Sequence, residues 1–135
     1  MSFKDAVEVS ATGLHARSLR MRVIAENLAN SDSLATTPGG RPYQRRVATF
    51  QTALDRATGA QGVRIRSITA DKAPFSRVYA PGTPAADSAG YVLRPNVDGL
   101  IEAADMKAAQ RAYEANLNAI EAARGMAART LDVLR

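Results

Sequence analysis

Few side chains of this 135-residue sequence have the chemistry of a catalytic or metal-binding site. His15 is the only histidine, and no cluster of His, Cys or carboxylate residues surrounds it in the sequence to complete a metal site. Glu102 and Asp105 stand three residues apart, a spacing that places two carboxylates on one face of a helix. The pair resembles an acid–base couple, but Lys107 lies nearby. We interpret both carboxylates as helix-capping and ion-pairing groups.

The other sequence signatures of enzymes are missing. Neither Gly39 with Gly40 nor Gly59 with Gly62 precedes a Gly-Lys-Ser/Thr sequence or opens directly into a helix, as a phosphate-binding loop would. The serines have no His and Asp arranged to activate them, and the chain has no Cys. We therefore predict that the protein is not an enzyme and that it has no catalytic residue, metal site, cofactor or small-molecule substrate.

Positive charge is concentrated in the middle of the chain. The net charge is +5, and residues 41–77 contain eight Lys and Arg against two Asp. We assign four of these residues to an outer basic face: Arg45, Arg46, Arg64 and Arg66. Arginines at alternating strand positions usually face water, but a basic surface can also bind nucleic acid, an anionic polymer or an acidic protein. A basic nucleic-acid-binding helical adaptor is therefore the alternative function, and a steep salt dependence of DNA binding would favour it.

The sequence predicts two helices, one at each end of the chain, which carry His15, Glu102 and Asp105. In the first, Ser2 and Asp5 form a capping box, and Asn30 marks the end. An apolar stripe at steps of three and four residues runs along it: Val7, Ala11, Leu14, Ser18, Met21, Ala25 and Leu28. Gly13 lies inside this helix and costs about 1 kcal/mol relative to Ala.

The last helix begins after Asp98, a good N-cap, and runs to the C-terminus. Its stripe consists of Met106, Tyr113, Leu117, Ile120, Ala127, Leu131 and Leu134. Many of its other positions are Ala, and a slim helix can pack closely against more than one neighbour. Burying stripes so rich in small residues does not offset the backbone entropy of long helices, about 1–2 kcal/mol per ordered residue. We expect both helices to be weakly ordered alone and stable only in an assembly.

Short strands fill the middle of the chain, at residues 43–50, 63–68, 75–79 and 91–93, with a turn at 58–62 and a loop at 81–90. The predicted fold is mainly α with a small β module, in which the long terminal helices pair as a coiled-coil-like hairpin. We expect residues 1–34 and 98–135 to form a helical core domain and residues 35–97 a β-rich module. No apolar run is long enough to span a membrane, and acidic residues interrupt the N-terminal region, so we expect neither membrane insertion nor a cleaved signal peptide.

Several motifs resemble those of flagellar basal-body rod proteins. The N-terminal ones are Ala11-Thr12-Gly13-Leu14 and Val23-Ile24-Ala25-Glu26-Asn27-Leu28-Ala29-Asn30, followed by Thr37-Pro38-Gly39-Gly40-Arg41-Pro42-Tyr43. The later ones are Pro74 to Tyr79, Pro81 to Pro84, Gly90 to Val97 and Arg111-Ala112-Tyr113-Glu114-Ala115-Asn116. They occur in order over essentially the whole chain. The sequence is therefore similar to the rod and hook axial proteins, in the form found in the proximal rod.

This resemblance implies a structural role. Rod subunits of this family are exported unfolded by the flagellar type III apparatus, without cleavage, and assemble helically in the periplasm. Together they form a drive shaft and export channel that transmits torque to the distal rod and hook. The implied partners are other copies of the chain, other rod subunits and the export apparatus, with no nucleic acid. We assign the assembly interface to Val7, Leu14, Met21, Ile24, Asn27, Leu28, Asn30, Met106, Tyr113, Asn116, Leu117, Ile120, Leu131 and Leu134.

Overall fold

A computed structural model describes residues 2–135 and has the predicted order of helix, strands and helix. Helix α1 covers Phe3–Ala29 and helix α2 covers Gly99–Val133. Between them lie β1 (Arg46–Leu54), β2 (Gln61–Ala70), β3 (Ser76–Tyr79) and β4 (Tyr91–Arg94). The prediction of a mainly helical fold with a small β component is confirmed. Neither helix of residues 2–135 combines the length and the hydropathy needed to cross a membrane.

Both helices begin at the predicted caps. The Ser2 N–H donates to the Asp5 carboxylate at 2.8 Å, and the Asp5 N–H donates to the Ser2 hydroxyl at 3.1 Å. The bond from Ser2 holds the pKa of the Asp5 carboxyl below its usual value. At α2, the Asp98 carboxylate accepts from the N–H groups of Leu100 and Ile101 at 2.9 and 3.3 Å. These bonds satisfy N–H groups that have no partner inside the helix.

The strands form two sheets of two strands each, β1 with β2 and β3 with β4. In the second sheet Ser76 pairs with Arg94 and Tyr79 with Tyr91 in antiparallel register. The first strand begins later than predicted because the Tyr43 N–H donates to the Ser33 carbonyl oxygen and the Arg45 N–H to the Asn96 side chain.

The turn of the first sheet covers residues 55–60 and so begins and ends earlier than the predicted 58–62. The Asp55 N–H donates to the Ala60 carbonyl oxygen at 2.9 Å, and the Gly59 N–H donates to the Asp55 carbonyl oxygen at 2.7 Å. Gly59 has φ +72°, a left-handed conformation that glycine adopts without strain. Gln61 and Gly62, which we predicted as part of the turn, belong to β2.

Contacts divide the chain into two compact units. The first unit contains residues 1–21, 48–67 and 107–135, and the second contains residues 22–47 and 68–106. Each unit combines helix with strand. The sequence-based division kept residues 1–34 and 98–135 apart from residues 35–97, and that division stays a prediction.

The buried face of α1 differs from the predicted stripe. Its buried residues are Gly13, Ala16, Val23, Ile24 and Asn27. Three members of the predicted stripe, Ala11, Ser18 and Ala25, are exposed, and the other four are half-buried. A search for apolar residues at helical spacing misses this face, because the face includes a glycine and an asparagine. On α2 the buried residues are Glu102, Ala109 and Ile120, of which we predicted Ile120.

Candidate functional site

Asn27 joins three segments of the second unit. Its side chain is 1% exposed. The amide nitrogen donates to the Arg46 carbonyl oxygen at 2.8 Å and to the Glu102 carboxylate at 3.4 Å. The amide oxygen accepts from the Tyr43 hydroxyl at 2.7 Å and from the Arg46 N–H at 3.0 Å. The amide thus uses both donors and both acceptor sites inside the chain, and it links the end of α1 to the start of β1 and the first turn of α2.

Burial raises the pKa of the Tyr43 phenol, and the nearby Glu26 carboxylate adds to the rise. The phenol therefore stays protonated at neutral pH, as the bond that it donates to Asn27 requires.

Arg45 sits in a cluster of carboxylates and is not on an outer basic face. It bonds to the buried Glu102, to Asp71 at 3.1 Å and to Asp105 at 3.7 Å. The hydrogen bond to Glu102 is the main cause that raises the pKa of the Arg45 guanidinium, and the bond to Asp71 adds to it. Glu102 is 1% exposed, and a buried carboxylate needs such a partner. Our assignment of Arg45 to the basic face was therefore wrong, because the guanidinium neutralises this cluster.

Asp71 and Asn96 complete the cluster. The Ala73 N–H donates to the Asp71 carboxylate at 2.9 Å; this bond, followed by the one from Arg45, lowers the pKa of the Asp71 carboxyl. The Asn96 amide nitrogen donates to the carbonyl oxygens of Asp71 and Ala73, both at 3.0 Å. Its oxygen accepts from the Arg45 N–H at 2.7 Å. Glu102 and Asp105, which we interpreted as helix-capping and ion-pairing groups, therefore belong to an ion-pair network whose cation is Arg45.

In the first unit, α1 meets α2 at Gly13. A Cβ atom at this position would lie 2.5 Å from the Asn116 amide nitrogen. A surface cavity of about 490 Å³ brings Phe3 of α1 together with Met126 and Leu131 of α2. Since the earlier residue of α1 meets the later residues of α2, the two segments run antiparallel within this unit.

The neighbouring residue of α1, Thr12, holds the start of β2. Its hydroxyl donates to the Val9 carbonyl oxygen at 2.7 Å and accepts from the Val63 N–H at 3.2 Å. A Cβ at Gly62 would lie 2.7 Å from this hydroxyl, so the strand approaches α1 closely there. Thr12 and Gly13 therefore face two different partners.

The remaining predicted interface residues are placed as follows. Val7, Leu14, Met21, Leu28, Met106 and Tyr113 are half-buried, whereas Ile24 and Ile120 are buried. The amide nitrogen of Asn30 donates to the Glu26 carbonyl oxygen at 2.9 Å, and its oxygen accepts from Ser33, so it caps the end of α1. Leu117, Leu131 and Leu134 are 39%, 64% and 78% exposed. The structure thus buries or half-buries most of the predicted interface residues and leaves the last turns of α2 uncovered.

The other three residues that we assigned to the basic face are exposed, and the face that they would form stays a prediction. Arg64 and Arg66 are exposed on β2, and Arg46 pairs with Glu26 at 3.6 Å while remaining exposed. His15 is exposed on α1. Within residues 2–135, no group of three or more His, Cys, Asp or Glu side chains is placed to hold a metal ion.

Comparison with known proteins shows which family this chain belongs to. A family model described as the C-terminal region of flagellar basal-body rod FlgEFG proteins matches residues 88–133. The flagellar basal-body rod protein FlgC of Agrobacterium fabrum is 42% identical over 96% of this chain and 94% of its own. The FlgC proteins of Salmonella typhimurium and Bacillus subtilis are 39% and 35% identical, and each alignment covers at least 97% of both chains.

The chain belongs to the FlgC family of flagellar basal-body rod proteins. The resemblance read from the motifs is confirmed. Members of the FlgC family carry a name that describes a structural protein, which supports a non-enzymatic role and gives no support to the nucleic-acid-binding alternative.

The structure gives the FlgC motifs a physical meaning in this chain. Thr12 and Gly13 of the first motif dock β2 and α2, Asn116 of the last motif meets Gly13, and Asn27 organises the second unit. Sequence reasoning missed the link between Arg45 and Glu102. The signal that was available is the acidic residue in the first turn of α2, which had no cation within four residues to neutralise it.

Proposed function

We propose that this chain is a structural subunit of the proximal rod of the bacterial flagellar basal body. In this proposal it assembles helically with other rod proteins into the drive shaft and export channel that transmits torque to the distal rod and hook. Membership of the FlgC family over nearly the whole chain is the observation that carries the proposal. A rod subunit needs no chemical step, and its contacts with its neighbours do the mechanical work.

The last turns of α2 provide a surface for such contacts. Helical spacing at 100° per residue places Leu131 and Leu134 on the same face as the buried Ala109 and Ile120. This face is covered earlier in α2, but Leu131 and Leu134 are 64% and 78% exposed. A contiguous exposed apolar patch of this kind marks an interaction site in soluble proteins. Neighbouring subunits in the rod would cover it.

The proposed assembly surface consists of the apolar and aromatic residues of the predicted interface that are not already buried inside the chain. These are Val7, Leu14, Met21, Leu28, Met106, Tyr113, Leu117, Leu131 and Leu134. On this surface the antiparallel helices would pack with their neighbours in a coiled-coil-like manner. Asn27 is not part of it, since its amide is fully bonded within the second unit.

The route to the rod follows from the same family. We propose that the chain passes unfolded through the flagellar type III export apparatus and assembles where the rod crosses the periplasm. Two features suit such a passage. The buried residues of both helices are few, half of them are Gly, Ala or Val, and little apolar area is buried by such side chains.

A competition experiment tests the proposed function. A host that lacks its own rod subunit of this family would express the wild-type chain, and basal bodies would be purified and analysed by quantitative mass spectrometry. The variant Leu131→Gln/Leu134→Gln would be co-expressed in equal amount. We expect the wild-type chain in the rod and the variant at less than a tenth of its level, because two apolar contacts of about 1.5–3 kcal/mol each are replaced by polar groups.

The matched control is Ala122→Gln, which introduces the same side chain on the opposite, exposed face of α2. This variant should enter the rod as the wild type does. Absence of the wild-type chain from basal bodies would contradict the proposed function. Equal incorporation of all three proteins would show that the end of α2 is not the assembly surface.

A further inference from the structure

The surplus positive charge of the chain lies entirely in its first unit. This unit contains eleven Lys and Arg against six Asp and Glu, whereas the second unit contains seven of each. The net charge of +5 is therefore a property of the first unit. A protein that needed charge only for solubility would not have to separate it in this way.

Ion pairing follows the same division. Among the described residues, six of the seven ion pairs lie in the second unit, where they engage Arg45, Arg46, Arg77 and Arg94. The seventh joins Lys4 to Glu8 on α1. In the part of the chain that the structure describes, ion pairs thus engage four of the seven cations of the second unit but one of the eleven cations of the first, Lys4.

The sheet of the first unit presents this charge in a fixed arrangement. Arg64 and Arg66 are exposed two residues apart, so both side chains leave the same face of β2. Arg56 is exposed in the turn that joins β1 to β2. Like charges on one strand face repel each other. A strand also holds them more firmly than a loop would, since its backbone is bonded to its neighbour.

We propose that the face of β2 that carries Arg64 and Arg66 docks on an acidic surface of a protein other than another copy of this chain. This inference rests on the proposed function, since it concerns a neighbour in the rod. Each copy would bring the same surplus charge in its first unit. In the second unit, Glu102, Asp71 and Asp105 are already bound to Arg45. A copy therefore offers a net positive charge from its first unit and no net negative charge from its second, and a different, acidic subunit would satisfy this face better.

Charge complementarity of this kind selects partners. Opposite charges across an interface speed association and exclude wrong neighbours, whereas like charges disfavour them. In a rod built from several proteins, a basic face that repels other copies of the chain would favour binding of a different subunit type next to it.

The first test is incorporation in competition with the wild type. Arg64→Gln/Arg66→Gln removes two positive charges from the proposed face. Its matched control, Arg22→Gln/Lys72→Gln, removes two charges from exposed positions of the second unit. We expect the first variant to be depleted about fivefold to tenfold in purified basal bodies and the control to match the wild type. Equal incorporation of both variants would overturn the inference.

The second test identifies the neighbour. Basal bodies that contain the chain with benzoylphenylalanine in place of Arg66 would be irradiated, and the cross-linked peptide sequenced by mass spectrometry. A peptide rich in Asp and Glu from a different rod protein supports the inference. A peptide from a second copy, a neutral or basic peptide, or no cross-link from an incorporated chain overturns it. Absence of even the wild-type chain from basal bodies would instead contradict the proposed function.

Discussion

Replacing Asn27 with Ala tests the organisation of the second unit most severely. The substitution deletes an amide that is 1% exposed and makes three bonds of 2.7–3.0 Å, to the Tyr43 hydroxyl and to both backbone groups of Arg46. The fourth bond, to Glu102 at 3.4 Å, is long, and we assign it little energy.

The magnitude follows from these contacts. Each of the three short bonds contributes about 1 kcal/mol net, so their loss costs about 3 kcal/mol. Ala is a better helix former than Asn by about 0.5 kcal/mol, which offsets a small part. We therefore expect the free energy of unfolding to fall by about 2.5 kcal/mol. Tyr43→Phe removes one bond and should cost about 1 kcal/mol.

Because we expect the helices to be weakly ordered in the monomer, the purified chain is unfolded by urea in the presence of a stabilising osmolyte, and circular dichroism at 222 nm measures the change. The control is Asn118→Ala, the same substitution at an exposed position of α2, which should leave stability equal or raise it by about 0.5 kcal/mol. The double variant Asn27→Ala/Tyr43→Phe should cost no more than Asn27→Ala alone, since the second change removes a bond already lost. If the free energies of unfolding of Asn27→Ala and Asn118→Ala differ by less than 0.5 kcal/mol, the Asn27 amide does not hold the second unit together.

Three further predictions concern the close helix contact, the carboxylate cluster and the apolar surface. Gly13→Val should destabilise the monomer by about 1 kcal/mol more than Gly125→Val in urea unfolding, because a Cβ at Gly13 meets the end of the Asn116 side chain, which must move aside, whereas nothing lies within 4 Å of a Cβ at Gly125. Equal effects would refute the close contact. The pKa of the Asp71 carboxyl is lower in the folded chain than its usual value of 3.8. The Asp71 carboxylate therefore stabilises the fold above pH 3.8, and this stabilisation is lost as the pH falls through the pKa of the folded chain. A pKa of 3.8 or higher for Asp71, measured by NMR titration, would contradict the ion-pair network around Arg45. Leu28→Asp and Leu117→Asp should each abolish motility in a complemented host while export and expression continue, and normal swimming by either variant would remove that position from the assembly surface.

Local sequence signals predicted the elements of the fold well. The capping box at Ser2 and the N-cap at Asp98 lie where the helices begin, since a cap acts over only three or four residues. The ends of β1 were less predictable, because the segment before Arg46 bonds to Ser33 and Asn96, which lie far away in the sequence.

Which face of each helix is buried could not be read from apolar spacing. The buried face of α1 includes Gly13, which permits the approach of Asn116, and Asn27, whose polar atoms are satisfied by distant partners. Both residues look unfavourable in a helix when judged alone. Arg45 was misplaced for the same reason, because its carboxylate partners Glu102 and Asp71 are 57 and 26 residues away.

Imaging of purified basal bodies, at a resolution that traces side chains, tests the central claim most directly. The measurement is the location of α1 and α2 of this chain and of the residues that contact the last turns of α2. A structural rod subunit requires both helices to lie within the rod wall, with Leu131 and Leu134 covered by a neighbouring subunit. A rod that lacks this chain, or one in which these two leucines face water, would contradict the claim.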